Sequence, residues 1–120
     1  MPRDALAYLS DIIESCDAIA AALLGLDLDK YKHNRLVRSS VEREFIIIGE
    51  AISALSRVAP DVFAAVTRAR RIVDFRNQLT HEYPTVDDGL VWAVADRDVR
   101  VLRNECSALI TGIEAEGEAD

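Results

Sequence analysis

The residues best equipped for chemistry stand together at Arg76-Asn77-Gln78-Leu79-Thr80-His81-Glu82-Tyr83, which sets a fixed guanidinium, an amide, an imidazole and a phenol close along the chain. The string runs into Pro84, so its polar groups are predicted to project from the last turns of a helix. At about 100° per residue, Asn77 and His81 share one helical face, Arg76 and Thr80 form the adjacent pair, and Tyr83 follows Arg76 two turns on. Such a set suits cleavage of a phosphodiester without a metal ion. A histidine ring can hold or release a proton near neutrality, typically contributing about 100- to 10,000-fold. An arginine fork donates to the non-bridging phosphate oxygens, whose charge grows in the transition state. Asn77 is placed to orient the imidazole or to hold the phosphate.

The motif's single imidazole cannot be both general base and general acid unless two chains share a site, so the motif predicts a two-fold dimer joined through the motif helices. RNA is then favoured over DNA, because its 2′-hydroxyl is an internal nucleophile that needs no metal-activated water. Spacing alone leaves plainer alternatives open. His81 also suits a helix C-terminus, where the macrodipole favours it; Arg76 also suits an ion pair with Asp74, Glu82 or Asp87; Tyr83 also suits packing. Glu50, after Gly49, interrupts an apolar helix and is either a buried partner of Arg43 or Arg76 or an exposed glutamate. His81-Glu82 is not followed by the second histidine of a zinc-protease pattern and His33 stands alone, so neither a metal site nor a cofactor is expected.

These groups need elements to position them, and the 120 residues, half of them hydrophobic, suffice for one domain with its own core. Residues 4–24 carry Leu6, Leu9, Ile12, Ile13, Cys16, Ile19, Leu23 and Leu24 at helical spacing, and Gly25 with Asp27-Leu28-Asp29 ends the segment. A second helix is predicted over Arg35–Arg57, capped by Asn34, with Leu36, Val37, Val41, Phe45, Ile48, Ile52 and Leu55 inward. Phe45-Ile46-Ile47-Ile48 is apolar all round, which requires a central place in a bundle or a subunit interface. Pro60-Asp61 opens a piece reaching Ala69, Arg70–Glu82 leads into the motif, and Asp87 or Asp88 caps a last helix whose polar end, 114–120, is expected to fray. The expected architecture is an all-α bundle of four to five helices.

Formal charge is −7, but it is unevenly spread: residues 1–29 carry −5, residues 30–76 carry +5 and residues 77–120 carry −7. The basic block, from Lys30, Lys32, Arg35, Arg38 and Arg43 to Arg68, Arg70, Arg71 and Arg76, provides either a local anion-binding surface or a solvated face. Cys16 and Cys106 lie within apolar-periodic segments, where a cysteine is a small buried hydrophobe suited to a reducing cytoplasm. No signal-peptide pattern and no apolar run of about 20 residues occurs, so neither secretion nor a membrane span is expected.

The octapeptide resembles the Arg-x4-His-x-Tyr signature of the HepT-like HEPN proteins. Val41-Glu42-Arg43 with Ile47-Ile48-Gly49-Glu50-Ala51 is similar to that family's second helix, and Val86-Asp87 with Val91-Trp92 to its segment after the motif. The resemblance spans about residues 6–110. It implies a HEPN-type helical bundle, a homodimer with a composite cleft, and the toxin of a type VII-like toxin–antitoxin pair that is a metal-independent endoribonuclease. It further implies a cognate minimal nucleotidyltransferase as antitoxin, which transfers AMP to Tyr83. By carry-over, Arg76 stabilises phosphate, His81 is acid or base, and Asn77 supports both, with Glu50 and Arg43 as further supporting candidates on the preceding helix. An alternative of a different class is a non-catalytic subunit that docks a nucleotidyltransferase as its scaffold or substrate.

Overall fold

The computed structural model describes residues 3–81 and 86–119. Glu82, Tyr83 and Pro84 lie outside them, and with them the expected helix stop at Pro84. The described residues form six α-helices and no strand: α1 (Ala5–Leu23), α2 (Leu28–Lys32), α3 (Arg35–Val58), α4 (Pro60–Ala65), α5 (Ala69–His81) and α6 (Asp88–Ala119). The fold is an all-α bundle, as the periodicity requires, with two of its helices only five and six residues long.

Local chemistry sets most of the boundaries. Asp4 accepts from the Ala7 amide at 3.0 Å, Asp27 from Lys30 at 2.8 Å, and Asn34 from Val37 at 3.1 Å, so α1, α2 and α3 each begin at a side-chain cap. Beyond α1, Gly25 adopts φ +80°, the left-handed turn that glycine enters without a Cβ penalty. Pro60 opens α4 at a position where its missing N–H is no loss. Asp87 caps α6 by accepting from the Gly89 and Leu90 amides at 2.9 and 3.2 Å. The α4–α5 joint is held from outside: Arg68 takes φ 58°, and the backbone amide and hydroxyl of Thr67 both donate to Glu105 of α6.

Helix α3 is the centre of the bundle, packed by α1, α2, α4 and α5, while α6 closes over α1 and α2. That placement explains the run apolar on all sides, because Phe45 and Ile48 are buried and Ile46 packs at the margin of the same core. The core stripe of α3, Val41, Phe45, Ile48, Ile52 and Leu55, meets Leu9, Ile12, Cys16 and Ile19 of α1. Both cysteines are free and buried, and desolvation pushes each thiol up to about 12, which leaves them unreactive near neutrality.

Several expectations are corrected. Leu36 is 85% exposed: at about 100° per residue it falls roughly 120° away from Ile48, off the stripe that Val37 and Val41 occupy. Leu24, also 85% exposed, follows the last residue of α1 as its cap. Leu90 is 46% exposed because it turns to a cleft rather than to the core. The stretch after Gly25 forms α2, whose Tyr31 is fully buried against Trp92, ring centroids 5.6 Å apart. The tail expected to fray from residue 114 continues as helix to Ala119, carried by backbone hydrogen bonds that need no apolar face.

The burial pattern predicts an unequal pair of substitutions. Ile48→Ala is expected to lower stability by about 2–5 kcal/mol, and Leu36→Ala to stay within about 0.5 kcal/mol of wild type, as read by urea unfolding. Equal losses for the two would show Leu36 to be covered in solution.

Candidate functional site

Three contacts set the rotation of α5 on α3. Phe75 meets Phe45 edge to face, with centroids 5.1 Å apart and planes at 83°. Leu79, one turn later, is buried in the core. Between them the aliphatic stem of Arg76 lies on α3 at Gly49, so closely that an ideal Cβ at Gly49 would be 2.3 Å from the Arg76 Cβ. With that side of α5 spent on packing, Asn77, Gln78, Thr80 and His81 are turned to solvent. The Thr80 hydroxyl donates back to the carbonyls of Arg76 and Asn77 at 3.2 and 3.1 Å, which binds the last turns together.

Arg76 is half-buried and His81, the final residue of α5, is exposed. The two therefore differ in character: one is built into a helix crossing and the other is exposed at the end of α5. The described residues hold ion pairs at Arg3–Asp11, Asp29–His33 and Asp17–Arg103, and none involves Arg76, so Asp74 and Asp87 do not neutralise it. Its Nε is buried and has no hydrogen-bond partner among the described residues. Glu50 and Arg43 are both exposed on α3, which decides against Glu50 as a buried partner of either arginine. They share one face of α3, beside rather than on the stripe that carries Gly49. Tyr83 lies outside the described residues.

A second polar group, which the periodicity did not single out, lies where α2, α3 and α6 meet. The Tyr31 hydroxyl is buried without a hydrogen-bond partner among the described residues, and burial, with Glu42 and Asp88 nearby, pushes its pKa up. Burial likewise raises the Glu42 carboxyl, Asp88 adds to the rise, and Arg38 opposes it. At about 100° per residue, Glu42 and Arg38 fall within roughly 20° of Gly49 along α3, on the stripe that supports Arg76. The available signal was an acid and a base recurring at helical spacing on a face that also carries the glycine.

A cleft of about 590 Å³ opens between α5 and α6, with Phe45, Ile48, Phe75 and Leu102 among its lining and Arg71 and Asp98 at its rim. Of the described motif residues only Gln78 lines it, so the cleft and the Asn77–His81 face are neighbouring sides of one helix. A pocket of this size is ordinarily the first guess for a ligand site. Here the groups able to do chemistry stand outside it, and the apolar lining is the character of a contact surface. Among the described residues no three His, Cys, Asp or Glu side chains are grouped to hold a metal ion, and no helix is long and apolar enough to cross a membrane.

A small helical bundle that carries an arginine without a carboxylate partner among the described residues, and an exposed histidine on the same helix, fits the HEPN-type bundle that the sequence resembles. Comparison with known proteins agrees: the family described as Ribonuclease HepT-like matches residues 12–109, and the chain belongs to that family. Among its relatives, a Methanocaldococcus jannaschii protein provisionally named RNase MJ1380 is 31% identical over 103 residues, 86% of this chain and 94% of the relative. Another from the same organism, provisionally named RNase MJ1216, is 26% identical over 116 residues, 97% of this chain and 95% of the relative. A third, provisionally named RNase TTE0752, from Caldanaerobacter subterraneus, is 21% identical over 103 residues, 86% of this chain and 91% of the relative. No solved structure matches the chain at a significant level.

The half-buried acid sets a pH dependence. Its folded pKa is raised, so the folded chain holds the Glu42 proton more tightly than the unfolded chain does. The associated stability is fully present below the ordinary carboxylate range and is lost as pH rises through the folded pKa. Glu42→Gln is expected to flatten that loss and to melt above wild type near neutrality, measured by thermal unfolding from mildly acidic to neutral pH. Parallel curves for the two proteins would show the carboxyl to be solvated.

Proposed function

We propose that this chain is a metal-independent endoribonuclease that acts as a two-fold dimer, with Arg76 and His81 as its catalytic residues. The observation that carries the reading is Arg76, a guanidinium that the described residues leave without a carboxylate beside an exposed histidine on the same helix. A cation kept free of acids is what a phosphate-binding group requires. Membership of the Ribonuclease HepT-like family supports RNA as the substrate.

In the proposed reaction the 2′-oxygen of the RNA attacks phosphorus. Its proton passes to one His81, the P–O2′ bond forms, and the P–O5′ bond breaks as the leaving oxygen takes a proton from His81 of the partner subunit. The products are a 2′,3′-cyclic phosphate and a 5′-hydroxyl. Arg76 holds the non-bridging oxygens while their charge grows, and Asn77, one turn before His81, steadies the imidazole or the phosphate. The apolar cleft supports the dimer: Leu90 and Val101 line it while remaining 46% and 53% exposed, and a second copy seated there would bring two α5 helices side by side.

Regulation belongs to the same reading. The chain is the toxin of a toxin–antitoxin pair, and AMP transferred to Tyr83 by a cognate nucleotidyltransferase silences it, by placing bulk and a negative phosphate where the RNA phosphate binds. Glu50 and Arg43, exposed together on α3, are supporting candidates for substrate or partner contact. Without catalysis, the same surface would serve as a scaffold for the nucleotidyltransferase.

Cleavage of a labelled single-stranded RNA in the presence of EDTA tests the reading. Wild type is expected to leave cyclic-phosphate ends, and Arg76→Ala and His81→Ala to lose about 100-fold or more in rate with unchanged circular dichroism. Cleavage that appears only on adding a divalent cation would remove the metal-free mechanism. Intact RNA in every case, with nucleotidyltransferase binding unaffected by His81→Ala, would leave the scaffold role.

A further inference from the structure

The crossing of α3 and α5 depends on a missing atom. A Cβ built on Gly49 would stand 2.3 Å from Cβ and 2.6 Å from Cγ of Arg76, and 3.5 Å from its Nε. The first two are the root of a side chain fixed in a helix, so they cannot swing aside, and α5 itself would have to move. Gly112 and Gly117 of α6, by contrast, have nothing within 4 Å of a built Cβ. A glycine inside a helix weakens it, and its presence in a buried crossing calls for a packing reason.

The second observation concerns what the crossing holds. The Nε of Arg76 is buried without a hydrogen-bond partner among the described residues, while the rest of the side chain is half-buried. A dry, unpaired donor costs stability, as does a helical glycine. Neither is needed to pack two helices: a slightly wider crossing, with alanine at 49 and a small apolar residue at 76, would do so without both. What the pair of features does achieve is a guanidinium whose stem lies on α3 at Gly49 and whose Nε is buried there. With Nε turned inward, the two Nη groups are the edge left for a ligand, and the spacing of that fork matches two oxygens of a phosphate.

We propose that Gly49 is a positioning residue, which by omitting a Cβ seats Arg76 on α3 with its Nε edge inward and its Nη edge presented end-on to the phosphate. The phosphate is that of the RNA, and to this extent the inference rests on the ribonuclease reading. The held geometry matters because a displacement of about 1 Å at a group of this kind costs on the order of 100-fold in rate.

Gly49→Ala is expected to lower kcat at least tenfold, with a smaller change in KM, while Gly112→Ala, the same substitution in open space, leaves activity unchanged. In the Arg76→Gly background the contact no longer exists, so adding Gly49→Ala is expected to cost no further activity and to leave the melting temperature unchanged or higher. If Gly49→Ala alone does not fold, recovery of the fold in the double variant supports the same contact, and failure to recover it overturns the inference. An independent readout is the Arg76 Nε–H signal in nitrogen-edited NMR, identified by its loss in Arg76→Ala. It is expected to be protected from exchange in wild type, to shift when a non-cleavable 2′-O-methyl RNA is added, and to lose protection in Gly49→Ala. A wild type that cuts no RNA but shows the protected, responsive signal would end the ribonuclease reading and uphold the positioning role. Full activity and an unaltered Nε–H signal in Gly49→Ala would overturn the positioning role.

Discussion

The close approach of α3 and α5 at Gly49 and Arg76 is the constraint on which the rest of the site depends. Helix axes come this near only where one of them carries no side chain, and here the space is taken by the stem of an arginine. Once that contact is made, Phe45 against Phe75 and the burial of Leu79 fix the rotation of α5, because all three lie on one side of it. Asn77, Gln78, Thr80 and His81 then face outward as a consequence of packing, with Asn77 one turn before His81.

Around this crossing the bundle behaves as a clamp. Helix α3 occupies the middle because its apolar residues point in several directions, and it meets α1, α2, α4 and α5. The 32-residue α6 closes the other side and reaches back to the α4–α5 joint, where Glu105 binds both the amide and the hydroxyl of Thr67. The left-handed Arg68 is tolerated within that joint, where Glu105 secures the neighbouring residue. α5 is thus held at its start by α6 and along its length by α3, while Asn77, Thr80 and His81 in its last turns are exposed.

The electrostatics follow the same division. Acidic residues outnumber basic ones, the carboxylates capping α1, α2 and α6 act on backbone amides, and no described carboxylate pairs with Arg76. The half-buried Glu42 meets Asp88, Arg38 and Tyr31 at a separate junction. With other carboxylates engaged by amides or by Arg3 and Arg103, Arg76 is left without a carboxylate among the described residues of a protein of net charge −7. The apolar cleft on the other side of α5 supplies contact area without competing for that cation.

Much of the fold was legible from local rules. The caps at Asn34 and Asp87, the turn at Gly25 and the extents of α1 and α3 follow from side chains acting within a few residues of themselves, and such interactions are written in sequence order. The motif was legible for the same reason, since a helix places Asn77 and His81 on one face wherever it lies. Leu36, Leu24 and Leu90 were misread because apolar character does not say which neighbour arrives, and Leu36 lies off the stripe that the other helices cover. α2 was missed because five residues are too few to show a period.

The amino-acid sequence by itself determined α1 and α3, the caps at Asn34 and Asp87, and the grouping of Arg76, Asn77 and His81, all of them consequences of spacing along one chain. Tertiary structure alone decided that Arg76 would be half-buried with no described carboxylate beside it, that Glu50 and Arg43 would be exposed, and that Gly49 would be the residue making room. Those outcomes depend on the distance and rotation between α3 and α5, which are set by side chains about thirty residues apart and have no signature in either helix taken alone.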